Sequence, residues 1–565
     1  MNFKSVLSVF LILNFFISFH SQEINKLFLQ KGEVYFSFDY KNKSQLNQLS
    51  NIISVDHKTN KTIAYAYANK QEFLEFLKKD IPYNIVKKPI RFKSNKIDFS
   101  KSSWNTYPSY QEYIDMMQAF ADSFPSICKI HSLGTLSSGR EILIAQISDN
   151  VGQKENEPSF LYTSSMHGDE LAGYILTLRL IDEILNGYGN DARLTNLVNE
   201  IDIWINPLAN PDGAYAGGNQ DVFGASRYNA NWKDLNRNYP DPEDGQHPDG
   251  NAWQDETLIF MGLADTVDFT ISANMHGGVE VCNYPWDTWG NLTADDSWWQ
   301  YVSSEYADSC QTNSGNGYFN YLNDGVTNGW DWYEVDGGRQ DYMNYYKGCR
   351  ELTLELSDDK TPNPNDLPAL WDANAPSLIN YLEQSLYGIR GIVTDSITGD
   401  PLKAKVEIVG HDVDNSFIYS SLPVGNYHRY LYQGNYDLTF SKAGYYSKTV
   451  SATITNNSVV VEDVQLAQNV FVDVPQTNNL NNFVNAIPNP AKDYLNFEYS
   501  ISNSAQNSEL IIWDQIGKVV DRINLDSKNN QLHFSLESFS PGIYYYSLNI
   551  NGGQSNEGKK LIVLK

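Results

Sequence analysis

The sequence predicts a multidomain chain built around an α/β domain with a largely buried sheet, preceded by a small α+β unit and followed by two all-β sandwich domains. Three observations carry this reading. The chain has 565 residues, too many for one hydrophobic core when domains run to roughly 100–200 residues. Between about 104 and 386, short apolar runs alternate with helical patterns, as in a sheet covered on both faces. After Gly388 the helical period disappears, and short strands broken by Gly and Pro replace it.

From the N-terminus, residues 1–21 carry one early positive charge, Lys4, and then an apolar stretch through Val6, Leu11, Phe15 and Phe19. That run is short for a membrane span and is read as a signal peptide, so no stable transmembrane segment is expected. In the unit assigned to 22–98, apolar runs at Val34-Tyr35-Phe36 and 63–67 alternate with a helical pattern at Phe73, Leu74, Phe76 and Leu77. The basic, Pro-containing stretch 87–96 reads as an exposed linker open to proteolysis.

In the 104–386 domain, strands are expected at 142–147, 160–164, 201–205 and 352–356. Leu171, Ile175, Leu178 and Leu185 fall at helical spacing directly after the strand that ends near Met166. The first sandwich is placed at 388–466, a polar linker at 467–482 and the second sandwich at 483–565.

Composition limits the function classes. Lys+Arg 41 against Asp+Glu 68 gives a net charge of −27, which repels nucleic acid and anionic membrane surfaces. The 41% hydrophobic content suffices for packed domains. Cys128, Cys282, Cys310 and Cys349 lack the close spacing of a thiolate zinc site. An oxidising destination permits disulfides among them, and spacing does not choose the pairs.

The chemistry is expected at the strand-to-helix junction Met166-His167-Gly168-Asp169-Glu170. An imidazole and a carboxylate three residues apart at such a junction can point to one centre above the sheet. Asn274-Met275-His276-Gly277-Gly278, at the end of another strand-like run, can supply a third ligand, and a His2Glu set leaves a metal open to water. A His-x-x-Glu pair alone occurs on many surfaces, so the surrounding motifs decide.

Those motifs are Asn210-Pro211-Asp212-Gly213, Asp234-Leu235-Asn236-Arg237-Asn238-Tyr239-Pro240 and Leu352-Thr353-Leu354-Glu355-Leu356. In order and spacing the chain resembles the zinc metallocarboxypeptidases, especially the subfamily that includes carboxypeptidases D, E and N. The resemblance runs from about 104 to 386 and continues into the next domain. It implies a mixed-sheet α/β catalytic domain that binds one Zn²⁺ and releases C-terminal residues from peptides or proteins. On matching positions, it implies that His167, Glu170 and His276 are the zinc ligands and Glu355 the catalytic glutamate. Arg227, ten positions before Arg237, would stabilise the oxyanion, and Asn236 and Arg237 would hold the terminal carboxylate. Tyr333 matches the tyrosine that closes over substrate. Asp287 and Gln340 match positions found in basic-specific members, implying a preference for C-terminal Lys or Arg; the other reading of Asp287 is an ordinary loop carboxylate.

The 388–466 unit, with Gly391-Ile392-Val393-Thr394-Asp395 and Ala443-Gly444-Tyr445, resembles the transthyretin-like domain of the same subfamily. Ile487-Pro488-Asn489-Pro490-Ala491, Trp513-Asp514-Gln515-Ile516-Gly517 and Pro541-Gly542-Ile543-Tyr544 resemble the C-terminal sorting domain of proteins exported by type IX secretion. That implies the secretion machinery as a partner and a released or cell-surface destination. The N-terminal unit resembles carboxypeptidase propeptides in size and position, implying a folding aid or inhibitor. Two other functions are compatible with the residues: a cell-wall peptide hydrolase, separable by its substrates, and a catalytically silent surface binding protein, which would be expected to lack a ligand or the glutamate.

Overall fold

The structure, a computed structural model, describes residues 24–86, 104–469 and 482–564 apart from scattered positions within them. The expected signal peptide, the basic linker and most of the 467–482 linker therefore lie outside the described residues. The chain divides into two compact units, Met1–Asn469 and Val470–Lys565.

The first unit opens with an antiparallel sheet of strands β1 (Glu33–Asp39), β2 (Ser54–Asp56), β3 (Ile63–Asn69) and β4 (Tyr83–Ile85), in the order β2-β3-β1-β4. Two helices, α1 (Lys43–Ser50) and α2 (Lys70–Leu77), cover one face. Helix α2 starts where it does because Asn69 and Glu72 form a capping box, satisfying N–H groups that the first turn leaves free. Its period then carries Phe73 and Phe76 onto Phe36, with ring centroids 5.1 and 4.8 Å apart, while Leu74 stays exposed.

The α/β domain is built on one eight-stranded mixed sheet. Its strands are β5 (Cys128–Thr135), β6 (Glu141–Ile147), β7 (Ser159–Ser164), β8 (Asp202–Asn206), β9 (Phe269–His276), β10 (Glu280–Tyr284), β11 (Val326–Asn328) and β12 (Arg350–Leu356), in the order β11-β10-β12-β9-β7-β8-β6-β5. Strands β8, β7, β9 and β12 run parallel; β6 pairs antiparallel with β8 on one side, and β10 with β12 on the other. Every residue of β7, β8 and β12 is buried, as a sheet with helices on both faces requires. The alternation of a strand assigns the faces: Phe160 and Tyr162 of β7 enter one core with helix α3 (Ala172–Gly187), and Leu161 enters the opposite core with Phe260 and Leu263.

The same alternation prepares the site. Leu352, Leu354 and Leu356 of β12 enter the α3 core, so Glu351, Thr353 and Glu355 point the other way. Register then pairs Glu351 with Ser272, Thr353 with Asn274 and Glu355 with His276. A ladder of buried polar residues thus climbs two neighbouring strands and ends at the carboxyl edge of the sheet, where open α/β sheets bind their ligands.

Beyond Leu386 the chain forms two four-stranded sheets around Val393, Val406, Leu438 and Phe440. This sandwich is tied to the α/β domain by a buried ion cluster. Asp295 Oδ2 accepts from Arg350 Nη2 and Arg429 Nη1, both at 2.7 Å, and Asp295 Oδ1 lies 3.0 Å from His411 Nε2. The second unit has a three-stranded and a five-stranded sheet around Leu495, Phe497, Leu510 and Leu548. All four cysteines are buried and free, so none of the pairings that the sequence permits is formed.

Candidate active site

The loop leaving β7 is held from several sides. Ser165 adopts a left-handed φ of 58°, a conformation that non-glycine residues rarely take, and its Oγ donates to Glu170 O at 2.9 Å. Gly168 has no alternative, since a Cβ there would lie 2.2 Å from the Gly213 carbonyl carbon. The Asn-Pro-Asp-Gly segment buttresses the turn: Asn210 Nδ2 donates to Met166 O at 3.0 Å, and Asn210 Oδ1 accepts from Gly213 N at 2.7 Å.

This scaffold brings His167, Glu170 and His276 together, with one ligand atom from each within 4.8 Å of the others. Glu170 Oε2 lies 2.9 Å from His167 Nδ1 and 2.8 Å from His276 Nδ1, and the two Nδ1 atoms are 3.0 Å apart. The far side of each ring has a polar neighbour: His167 Nε2 is 3.0 Å from Asp234 Oδ1, and His276 Nε2 is 2.8 Å from the Asn274 amide. A hydrogen bond from Nε2–H to Asp234 fixes the His167 tautomer with its Nδ1 lone pair toward the cluster, as an outer carboxylate does in metal sites. Two imidazole nitrogens and one carboxylate, buried and converging, fit a catalytic zinc ion by the chemistry of the donors.

Electrostatics favour the charged forms here. Burial would raise Glu170, but His167 and Lys360 hold it well below the usual carboxylate range. Burial likewise opposes ionisation of Asp234, and Arg227 and His167 overcome it. Glu355, set beside His276 by the β9–β12 register, behaves differently. Burial, with Glu170 adding to it, pushes its carboxyl up to about 8, against the pull of His276, Lys360 and His167.

Arg227 is 1% exposed and lies across the cluster, with Nη1 3.3 Å from Glu170 Oε1 and Nη2 3.0 Å from Asp234 Oδ2. Asn236 and Arg237 follow Asp234 in a short 3₁₀ turn. Asn236 Oδ1 accepts from Arg339 N at 3.0 Å, which commits the acceptor end of the amide. Arg237 uses Nη1 on Asn236 O at 2.8 Å, while its buried Nε and Nη2 have no partner. Tyr333 is 5% exposed, and its hydroxyl feels the charges of Arg237, Glu355 and Arg227. Asp287 lies near Asn236: a Cβ on Gly338 would be 3.6 Å from Asp287 Oδ2 and 3.8 Å from Asn236 Oδ1. Burial pushes Asp287 up to about 7. Gln340 is 1% exposed, and neither polar atom of its amide has a partner.

Three residues of the cluster carry no assignment from the sequence. Asp234 and Asn274 were legible in principle, the first within the Asp234-Leu235-Asn236-Arg237 motif and the second two residues before His276 on the same strand face. Lys360, whose Nζ is 2.5 Å from Glu170 Oε1, had no local signal.

The N-terminal sheet covers this site. Glu33 Oε2 accepts from Ser226 Oγ at 3.1 Å and from Arg227 N at 3.3 Å; Ser54 Oγ donates to Asp234 Oδ2 at 2.5 Å. Glu72 Oε2 accepts from Tyr228 OH at 2.7 Å, and Asn69 Nδ2 donates to Trp232 O at 3.0 Å. The Tyr67 ring lies 5.1 Å from Lys360 Nζ and 5.8 Å from the Arg227 guanidinium carbon. Tyr333 and Val335 share the apolar core of this N-terminal unit.

Residues 113–377 match the zinc carboxypeptidase family. Mouse carboxypeptidase N catalytic chain is 32% identical over 394 residues, covering 63% of this chain and 85% of that protein. Carboxypeptidase SOL1 of Arabidopsis thaliana is 33% identical over 374 residues, covering 65% of this chain and 72% of that protein. This chain belongs to the zinc carboxypeptidase family.

Mouse carboxypeptidase D is 35% identical over 363 residues, 61% of this chain, and the match spans only 26% of that longer protein. Carboxypeptidase A from Helicoverpa armigera superposes with a TM-score of 0.50 at 19% identity, covering 63% of this chain and 98% of that one, which establishes the shared catalytic fold. Residues 485–564 match a secretion system C-terminal sorting domain, so this zinc carboxypeptidase homologue is a secreted or cell-surface protein. No helix among the described residues is long and apolar enough to cross a membrane.

Proposed function

We propose that this protein is an extracellular metallocarboxypeptidase that binds one zinc ion at His167, Glu170 and His276 and removes C-terminal residues, with a preference for Lys and Arg. The observation that carries the reading is the joint placement of that ligand set, Glu355 in register with His276, and an Arg237 guanidinium with unmatched donors. When zinc is bound, its Lewis acidity polarises the scissile carbonyl and eases deprotonation of the attacking water.

The remaining work falls to the chain. Arg237 donates paired hydrogen bonds to the terminal carboxylate, a geometry that suits a planar guanidinium and selects an exopeptidase register. The Asn236 Nδ2 donors serve the same carboxylate. Glu355, in its ionised form, takes the proton of the attacking water and delivers it to the departing amine, work typically worth about 10² to 10⁴-fold in rate when a base's pKa lies near the working pH. Arg227 balances the charge that develops on the carbonyl oxygen. Tyr333 closes over the bound residue and excludes water.

The specificity reading rests on charge. Asp287 and Asp341 are both raised by burial, and each raises further under the other's or a neighbouring Asp241 charge. A cationic side chain would relieve that repulsion, whereas an apolar one would not. The unpartnered Gln340 amide supplies polar contacts to the same residue. We further assign the N-terminal unit as an inhibitory propeptide, because its contacts fall on Arg227, Asp234 and the Tyr333 segment.

The test is release of the last residue from blocked dipeptides ending in Arg, Lys, Phe, Leu or Glu. The secreted chain is compared before and after proteolysis between residues 86 and 104, with zinc or with a chelator, alongside Glu355→Gln. Zinc-dependent release that proteolysis enhances and Glu355→Gln abolishes supports the assignment. Absence of release from the cleaved, zinc-loaded chain refutes it, and release of Phe or Leu in preference to Arg refutes the specificity. The 388–466 sandwich is assigned as transthyretin-like, a stabilising module without a catalytic group, and export is assigned to the type IX machinery.

A further inference from the structure

At the opposite end of β7 from the zinc ligands, the loop between β6 and β7 gathers three carboxylates. Asp149, Glu155 and Glu157 each present an oxygen within 4.8 Å of the others. Acidic loops are common, but two features set this one apart. Glu157 is only 5% exposed, and its Oε1 has no hydrogen-bond partner; Asp149 Oδ1 is also buried without one. Orphaned carboxylate oxygens facing like charges are costly to hold in a folded chain, because each loses hydration and gains repulsion.

The surroundings offer little relief. Lys154 donates its Nζ to Ser159 Oγ at 3.2 Å. Asn150 Nδ2 satisfies one oxygen of Glu155 at 2.9 Å. Asp202, a fourth carboxylate, is already matched by Gln146 Nε2 at 2.8 Å, Trp204 Nε1 at 2.8 Å and Ser159 Oγ at 3.1 Å. Burial pushes Glu157 up to about 8, and the charges of Asp202, Glu155 and Asp149 add to it against the smaller pull of Lys154.

We infer that Asp149, Glu155 and Glu157 form a calcium site, separate from the zinc centre, that locks the β6–β7 loop. The donors are all oxygen, with no imidazole or thiolate, which selects a hard cation. An irregular loop accommodates the flexible six- to eight-fold coordination of Ca²⁺ better than the strict octahedron of Mg²⁺. The loop also bears on the first sandwich, since Glu157 O accepts from Asn426 Nδ2 at 3.2 Å. Ion binding therefore stiffens the side of the catalytic domain on which that sandwich rests.

The experiment uses the full secreted chain with zinc kept saturating and Ca²⁺ removed by a calcium-selective chelator. Tb³⁺ is titrated in and its luminescence excited through tryptophan, Trp204 being bonded to Asp202 beside the cluster; Ca²⁺ is then used to displace it. In parallel, thermal unfolding is followed as CaCl₂ rises to about 10 mM, beyond the range of weak extracellular sites. The expected result is saturable, Ca²⁺-displaceable Tb³⁺ binding and a rise in Tm on the order of 5 °C. Asp149→Asn and Glu157→Gln should each weaken Ca²⁺ at least about tenfold. Glu155→Gln, at the least buried of the three positions, keeps the test decisive if a buried variant fails to fold. Absence of saturable binding overturns the inference, as does binding that survives these variants but is lost in Asp244→Asn, in the separate Asp241, Asp244 and Asp336 cluster.

Discussion

Replacing Glu33 by Ala tests whether the N-terminal unit restrains the active site, and its size follows from two contacts. Glu33 Oε2 accepts from Ser226 Oγ at 3.1 Å and from Arg227 N at 3.3 Å, in a position that is 3% exposed. A hydrogen bond to a charged group is worth about 1.5–3 kcal/mol, and distances above 3 Å place these two near the low end, about 3 kcal/mol together. Removing the buried carboxylate also abolishes its desolvation cost, so a net loss of about 1.5–3 kcal/mol is expected, or about 10- to 150-fold in the closed-to-open ratio. The assay is zinc-saturated release of C-terminal Arg by the intact chain, expressed as a fraction of the rate after proteolysis between residues 86 and 104. Glu33→Ala should raise that fraction by this factor or until it reaches one, and leave the rate of the cleaved chain unchanged. An intact wild-type chain as active as the cleaved one would refute the reasoning at its base. A variant still as latent as wild type would show that the restraint resides elsewhere in the interface.

Four further outcomes are expected. Arg237→Gln should lower kcat/KM at least about 30-fold on free-acid substrates, the 2 kcal/mol or more of a lost buried charge contact, and remove discrimination against C-terminal amides. Because burial sets Asp287 near 7 and a raised carboxyl becomes charged only above its pKa, the ratio of Arg to Leu release should climb between pH 6 and 8 in the wild type and stay flat in Asp287→Asn. Asp234→Asn should weaken zinc about 10- to 100-fold in chelator competition through loss of the His167 Nε2 contact. Asp295→Asn should destabilise the first unit by about 3–5 kcal/mol at pH 7 in denaturant titration, since it takes the carboxylate from buried Arg350 and leaves Arg429 with Asp412 alone. Burial opposes the Asp295 charge, but Arg429 and Arg350 hold its pKa down. Its contribution is therefore present above the unfolded value of about 3.9 and lost as pH falls below it, so the gap to Asp295→Asn should narrow only in acid.

The sequence made some of this site legible and left the rest in the topology. His167 and Glu170 could be placed because a local period changes from strand to helix beside them, and that change needs no knowledge of the rest of the fold. Glu355 was readable as a charge inside an apolar strand, but its position against His276, 79 residues away, depends on β12 lying next to β9. Strand order is set by crossover connections and not by any local period. The cysteines mark the same boundary from the other side: spacing allowed disulfides, whereas Cys282 and Cys310 are core residues whose burial follows from the packing of β10 and helix Asp296–Ser314.

Lys360 and the contacts that the N-terminal unit makes on the site were beyond sequence reasoning for a shared reason: their effect lies in surfaces meeting. Lys360 has ordinary neighbours in the chain, yet in the fold burial, which would discharge it, is outweighed by Glu170, Asp56 and Asp169. Asp56 belongs to the N-terminal sheet. Removing that sheet would therefore take away an acidic neighbour of Lys360 together with the Glu33 and Ser54 contacts to Arg227 and Asp234. The groups that neutralise the cluster's charges are in part on loan from the covering unit. If that unit leaves, as the propeptide assignment requires, Lys360 loses an acidic neighbour and the site gains attraction for an anionic ligand.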